Sequence, residues 1–377
     1  MNLSLWEKES FFAPADIIIA GSGFVGLWSA YYLKKIQPKL RITLVERGTI
    51  PTGASTRNAG FACFGSVTEL IKDAETMGED TMLSLVEMRH KGLKKIRKTF
   101  RQKQTGFTQC GGYELIAPAG NDDYKQVKHQ VKWLNEALKP ILKTKKTFRF
   151  DDDAVGRFGF EGIGRVISNE LEGSLHPGKL CQALLRTVQG MGVTVLPATE
   201  IIYFEDGDKG VTVYTKGNNE LKCDCFLICI NGFAEQLLPD LGVTPARGQI
   251  VVTSPIPDLK IKGTFHYDEG FYYFRNVANR LLLGGARNLA IEEETTTDME
   301  VSDKIQEELE RFISEHLLPG VSFQITDRWS GIMGMGGEKM PIVKKLSSNV
   351  FCALKMSGIG VALAPVAGET VAELMLG

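Results

Sequence analysis

The sequence predicts an α/β fold in which two domains are built from interleaved segments of one chain. Three observations predict it. The apolar run Asp16-Ile17-Ile18-Ile19-Ala20 ends in glycines and opens a helix, the mark of a buried parallel strand. A second fully apolar run, Phe226 to Ile230, ends in Asn231-Gly232. Around them strand and helix patterns alternate with no repeat, low-complexity tract or linker to mark a sequential boundary. The chain has 377 residues, too many for one compact core and about right for two domains. The expected division puts residues 1–80, 150–242 and 322–377 in one domain and 81–149 with 243–321 in the other.

The elements follow in order. Phe24 to Lys35 reads as a helix and Arg41 to Glu46 as a second apolar strand, completing a βαβ unit. The stretch Ile17 to Leu33 is as long as a membrane span, but its spaced glycines and the turn they make argue against one. Residues 66–104 carry apolar positions at helical spacing (Leu83, Val86, Leu93, Ile96), with a basic solvated face from Lys91 to Lys103. Gly111 to Pro118 reads as a strand, Tyr124 to Leu138 as a helix, and Lys179 to Met191, opened by Pro177, as another helix. Strands are expected at 193–196, 199–204, 211–215, 249–253, 270–274, 280–284 and 351–356. Helices are expected at 303–316 and 364–376.

Composition narrows the function. The formal net charge is −1, so there is no overall basic field to hold nucleic acid. Seven cysteines have no framework spacing, and Cys223-Asp224-Cys225 lacks the spacing of a zinc or redox pair. They are expected to be reduced thiols in a cytoplasmic protein without a metal site. Glu7, Lys8 and Glu9 precede any apolar run, which does not fit a secretory signal.

The chemistry begins at Gly21-Ser22-Gly23-Phe24-Val25-Gly26, directly after the first strand. The first glycine permits the tight turn, the second lets the backbone approach a pyrophosphate, and the third lets helix and strand pack closely. The helix N-terminus offers free N–H groups to phosphate. Glu46 falls at the end of the second strand, where a carboxylate can accept both ribose hydroxyls of an adenosine. After Glu46 and Arg47 comes a run rich in small residues, Pro51-Thr52-Gly53-Ala54-Ser55-Thr56-Arg57-Asn58-Ala59-Gly60-Phe61. It can approach the pyrophosphate and ring of an extended FAD.

Together these segments resemble the FAD-dependent D-amino-acid oxidase superfamily, which includes glycine oxidase and sarcosine oxidase. The resemblance covers nearly the whole chain. It also takes in Gly173-Ser174-Leu175-His176-Pro177, Ile228 to Gly232, Arg247-Gly248-Gln249, Arg280 to Gly285 and Ser357 to Pro365. It implies a Rossmann-like FAD-binding domain interleaved with a substrate domain built on a mixed or antiparallel sheet. It further implies non-covalent FAD, with Cys63 the candidate for a covalent link, backbone contact at Ile201, Asn231-Gly232 against the phosphates, and Gly331 near the cofactor. Gly358-Ile359-Gly360-Val361 should meet the pyrimidine edge of the ring, where a helix N-terminus stabilises negative charge.

Two positions depart from the family. Amino-acid-oxidising members place an arginine shortly after a tryptophan to clamp the substrate carboxylate. Here Trp329-Ser330-Gly331-Ile332-Met333 puts Met333 in its place. Sarcosine oxidases carry a lysine that promotes reaction with oxygen in the strand aligned with Leu281-Leu282-Leu283, and here leucine stands there. Phe271-Tyr272-Tyr273-Phe274-Arg275 looks closest to the γ-glutamylputrescine oxidase branch. The expected activity is oxidation of an amine or amino-acid-like substrate to an imine by hydride transfer to flavin N5, with oxygen or another acceptor taking the electrons. Tyr273, Arg275, Trp329 and Met333 are the candidate catalytic residues. Met333 predicts a substrate without an essential α-carboxylate, unless Arg275 or Arg287 reaches the pocket. His176 and His266 read as structural. A 2-hydroxy-acid oxidase or dehydrogenase, and an FAD-binding protein without turnover, are the alternatives.

Overall fold

The computed structural model of the chain describes residues 3–377. Helix α1 (Leu5–Glu9), capped by Ser4, precedes strand β1 (Ala15–Ala20). Helix α2 (Phe24–Ile36) and strand β2 (Ile42–Val45) complete the βαβ unit. The apolar stretch 17–33 is therefore divided between a strand and a helix. Among the described residues no helix is long and apolar enough to cross a membrane. A short helix α3 (Ala54–Arg57) and strand β3 (Phe61–Ala62) lead to α4 (Val67–Met77), α5 (Glu79–Thr99) and α6 (Gln102–Thr105). The single helical region expected at 66–104 breaks at Gly78, whose φ of 85° ends one helix and starts the next. On α5 Leu93 and Ile96 are buried, while Lys91, Lys94, Arg97 and Lys98 form the solvated face.

Strand β4 (Gly112–Ile116), helix α7 (Asn121–Leu142), strand β5 (Arg149–Phe150), helix α8 (Ala154–Phe158) and strands β6 (Arg165–Asn169) and β7 (Gly173–Ser174) follow. Helix α9 (Pro177–Gly190) leads to β8 (Thr194–Leu196), β9 (Ile201–Gly207), β10 (Gly210–Thr215) and β11 (Glu220–Ile228). Next come β12 (Thr244–Thr253), β13 (Thr264–Tyr267), β14 (Tyr272–Val277), β15 (Arg280–Gly285) and helix α10 (Asp303–Phe312). The long strand β16 (Ile325–Met335), strands β17 (Ile342–Lys345) and β18 (Val350–Leu354), and helix α11 (Gly360–Leu376) close the chain.

Two large sheets organise these elements. The first runs β17-β18-β11-β1-β2-β8, with β10 attached to β11 and β9 to β10. Its central pairings are parallel. Helices α2, α9 and α11 cover one face, so α2 is buried around nearly its whole circumference. That explains why its sequence is apolar beyond a single stripe. The second sheet runs β16-β12-β15-β14-β13-β4-β6-β5 and is antiparallel except between β13 and β4. Helix α10 packs on it over a core of Phe265, Phe274, Leu281 and Leu283.

The division expected from sequence needs correcting at two places. Strand β6 pairs with β4, and β16 pairs with β12 over most of its length. Residues 165–169 and 325–335 therefore belong to the second sheet, because their backbone hydrogen bonds lie there.

Candidate functional site

A cavity of about 630 Å³ runs from the C-terminal ends of β1 and β2 to one face of the second sheet. Its first end is built by the glycine turn. Gly21 has a φ of 96°, and a side chain on it would meet the Cys229 carbonyl oxygen at 2.8 Å. A Cβ on Gly26 would lie 2.0 Å from the Gly21 carbonyl oxygen, so only glycine lets α2 sit this close to the turn. Gly23, Phe24 and Val25 line the cavity with the first turn of α2. The half-buried Glu46 braces this turn. Its Oε2 accepts from Ser22 N (3.0 Å) and Ser22 Oγ (2.6 Å), and its Oε1 accepts from Gly48 N (2.8 Å). Ile201 and Asn231 also reach the cavity, and Arg47 stacks over the Phe233 ring at 4.0 Å.

The segment 53–61 forms the next wall. Ser55 Oγ accepts from Phe24 N (2.8 Å), which ties α3 to the turn. Asn58 donates to the Ala54 and Ser55 carbonyls and accepts from Gly60 N, holding the segment rigid. Opposite lie Gly358, Ile359, Gly360 and Val361 at the start of α11. The second sheet presents a face bare of side chains at Gly248 and Gly331. A Cβ on Gly248 would lie 3.3 Å from Met333 Cε and 3.4 Å from the Tyr273 hydroxyl, and one on Gly358 would lie 3.3 Å from Met333 Sδ. Amides and an acid at one end, and a glycine-bared wall with an apolar rim at the other, fit an extended FAD.

Tyr273 and Met333 thus stand together over Gly248. Cross-strand pairing sets His266 opposite Tyr273, and Phe61 packs edge-on against both rings. Burial pushes the Tyr273 hydroxyl up to about 12 and pulls His266 down to about 4, so both are neutral near pH 7. Arg287 lines the same region and is half-buried; burial lowers its pKa from the usual value.

Beyond His266 lies a buried charge network. Arg89 donates to Glu69 (3.0 Å), and Lys339 pairs with Glu69 (3.1 Å) and Asp73 (2.8 Å). Burial opposes the Glu69 charge, but Arg89 and Lys339 outweigh it and hold the carboxyl well below its usual range. None of these four was expected from sequence. One signal was there: Arg89 stands three residues after Val86 and four before Leu93, on the apolar stripe of α5, where a charge requires a buried partner.

Most sequence-predicted positions line the cavity: Gly21, Gly23, Phe24, Val25, Glu46, Arg47, Ser55, Arg57 to Phe61, Ile201, Asn231, Tyr273, Gly331, Met333 and Gly358 to Val361. Ser22, Gly26, Thr56 and Gly232 stand behind it. Ser22 is bonded to Glu46, Thr56 Oγ1 donates to the Pro51 carbonyl, and Gly232 packs on the Met333 backbone.

Two candidate catalytic residues need correction. Arg275 shares the face of Tyr273, as the two-residue period requires, but lies about 6.6 Å farther along the strand. There Gly60 and Leu175 cover the sheet, and Arg275 Nη1 donates to their carbonyls (3.3 and 3.0 Å). Trp329 is covered by α3; its Nε1 donates to the Arg57 carbonyl (2.9 Å) while Arg57 donates to the Ser330 carbonyl (2.9 Å). Both residues fasten the wall of the cavity rather than line it. His176 caps α9 by accepting from Lys179 N.

The chain is similar to the probable oxidoreductase OrdL of Rhizobium meliloti, 24% identical over 371 residues that cover 96% of this chain and 83% of the relative. It is 23% identical over 374 residues to gamma-glutamylputrescine oxidoreductase of Escherichia coli, covering 96% and 84%. Its fold matches the crystal structure of glycine oxidase from Geobacillus kaustophilus with a TM-score of 0.77 and 19% identity, over 96% of this chain and 95% of that one. The FAD dependent oxidoreductase family, DAO, matches residues 16–374, and the chain belongs to that family of enzymes.

Proposed function

We propose that this FAD-dependent oxidoreductase oxidises a C–N bond of an amine or amino-acid-like substrate to an imine, which water then hydrolyses. FAD, when bound, would supply the two-electron acceptor, the flavin N5. The observation that carries the reading is the placement of Tyr273 and Met333 together over Gly248, in the same cavity as the dinucleotide turn. Both side chains are uncharged near pH 7, and with Phe61 they make a largely apolar wall that keeps water from the reacting carbon. His266 is neutral as well, so it adds no positive charge against an incoming amine. The names of two similar proteins, gamma-glutamylputrescine oxidoreductase and glycine oxidase, point to amine substrates.

In this reading Glu46, the α2 turn and the start of α11 hold FAD without a covalent bond. Cys63 lines the cavity, but burial pushes its thiol up to about 12, so it stays protonated and a poor nucleophile. The test is anaerobic reduction of the bound flavin by a panel of amines, amino acids and 2-hydroxy acids. Amines or amino acids should bleach the oxidised flavin band. Bleaching by 2-hydroxy acids alone would overturn the assignment of C–N chemistry.

A further inference from the structure

Cations along the cavity are almost all engaged. Arg57 donates to the Ser330 carbonyl, Arg89 and Lys339 share Glu69, Lys72 pairs with Glu75, and Arg47 stacks on Phe233. Arg287 is the exception: among the described residues its guanidinium has no hydrogen-bond or ion-pair partner, although it is half-buried. The acid that influences it electrostatically, Glu294, is already committed. Its two oxygens accept from Arg247 Nε (2.9 Å) and Nη2 (2.7 Å), from Gln249 Nε2 (2.9 Å) and from Ser302 Oγ (3.0 Å).

The backbone before Arg287 is also specialised. Gly285 has a φ of 134° and Ala286 a φ of 59°, the left-handed region that an alanine seldom adopts. This turn ends β15 and carries Arg287 away from the sheet to the cavity, beside Tyr273. A strained turn that delivers an unpaired, partly desolvated cation to a ligand cavity calls for an anion. A planar guanidinium with free donors suits a carboxylate, which it can bind through two parallel hydrogen bonds. Met333, across the same space, offers no competing charge.

We propose that Arg287 is the specificity-determining residue of this enzyme, binding a carboxylate carried by the amine substrate. The clamp that the sequence lacks at position 333 is thereby supplied from the end of β15. The proposal rests on the amine-oxidising reading of the site and narrows it to carboxylate-bearing amines.

The test uses the oxidised holoenzyme and needs no turnover. Benzoate, titrated against benzamide as its uncharged isostere, is followed through the bound flavin spectrum. Benzoate should give a saturable perturbation and benzamide none. Arg287→Gln should weaken benzoate binding at least tenfold, Arg287→Lys should retain part of it, and Lys304→Gln, an exposed cation on α10, should leave it unchanged. Equal affinity in Arg287→Gln, or an equal response to benzamide, would overturn the proposal. Turnover then separates the two levels. If benzoate binding depends on Arg287 but no amine bleaches the flavin, the C–N reading fails and the Arg287 assignment stands. If carboxylate-free amines bleach it as fast as carboxylated ones, and Arg287→Gln leaves kcat/KM unchanged, the Arg287 assignment fails and the C–N reading stands.

Discussion

Glu46 illustrates how one side chain can brace the fold and face a cavity at once. Its oxygens accept from Ser22 and Gly48 and so fix the glycine turn, and the residue also faces the cavity. Glu46→Ala should lose charge-assisted hydrogen bonds to the adenosine ribose, each contributing about 1.5–3 kcal/mol. FAD affinity, measured by titrating the apoprotein, should fall by a factor of ten or more on that scale. An unchanged dissociation constant would remove this acid from the cofactor site. Glu46 was legible in the sequence because strand, turn, helix and strand follow one another without a break, and chain order alone fixes where the acid falls. Arg275 and Trp329 were not. The face of Arg275 was legible from the two-residue period, but what covers Arg275 and Trp329 comes from residues 54–60 and 175, far away in sequence. Arg287 was weighed as a ligand-binding residue, but its freedom from partners depends on how Glu294 is shared with Arg247, Gln249 and Ser302.

At the scale of elements, helix α3 is too short to be stable alone and depends on its neighbours. Trp329 donates to the Arg57 carbonyl and Arg57 to the Ser330 carbonyl, joining α3 to β16, and Ser55 binds α3 to α2. Trp329→Phe keeps the aromatic packing and removes the bond to the Arg57 carbonyl. It should lower stability in urea by about 1 kcal/mol and weaken FAD binding as well, because α3 forms part of the cavity wall. Loss of stability with FAD affinity intact would mean that the indole supports only the sheet. Most elements were readable because their periodicities are strong, as in β1, β11 and α9. Boundaries were less so. Strand β11 begins at Glu220, ahead of the fully apolar run at Phe226; its first half, which includes the strand-like Cys223 to Cys225, alternates in burial and pairs with β10 along one edge. Strand β16 carries Gly331 and Gly334, which weaken its strand pattern, yet those glycines sit where the Arg57 and Asn231 side chains approach.

At the scale of the whole molecule, Glu172 joins distant parts of the chain. Its Oε1 accepts from Phe64 N (2.8 Å) and Gly65 N (3.2 Å), and its other oxygen lies against Gly112 of β4. Burial pushes this carboxyl up to about 7 against the lowering pull of those amides and of Arg89. The folded chain therefore holds a proton that the unfolded chain has released. The resulting stability is fully present below the unfolded carboxyl value and is lost as pH rises through about 7. Between about pH 5 and about pH 8, thermal stability should fall more in the wild type than in Glu172→Gln, whose amide cannot ionise; the difference is bounded at roughly 3 kcal/mol, from ~1.4 kcal/mol per pKa unit. Parallel profiles would show that Glu172 does not titrate in this window. The order of the first sheet has a different consequence, for synthesis. Strand β1 takes its partners from β2 and from β11, and β18 seats on the far side of β11. Helix α11, residues 360–376, supplies the cover for α2. As the chain leaves the ribosome, the glycine turn emerges well before β11, β18 and α11, which bury its surroundings. Until β11 emerges, β1 presents an unpaired apolar edge. The apolar edge of β1 and the apolar side of α2 therefore stay uncovered until those later segments arrive, a window in which wrong pairing competes with folding.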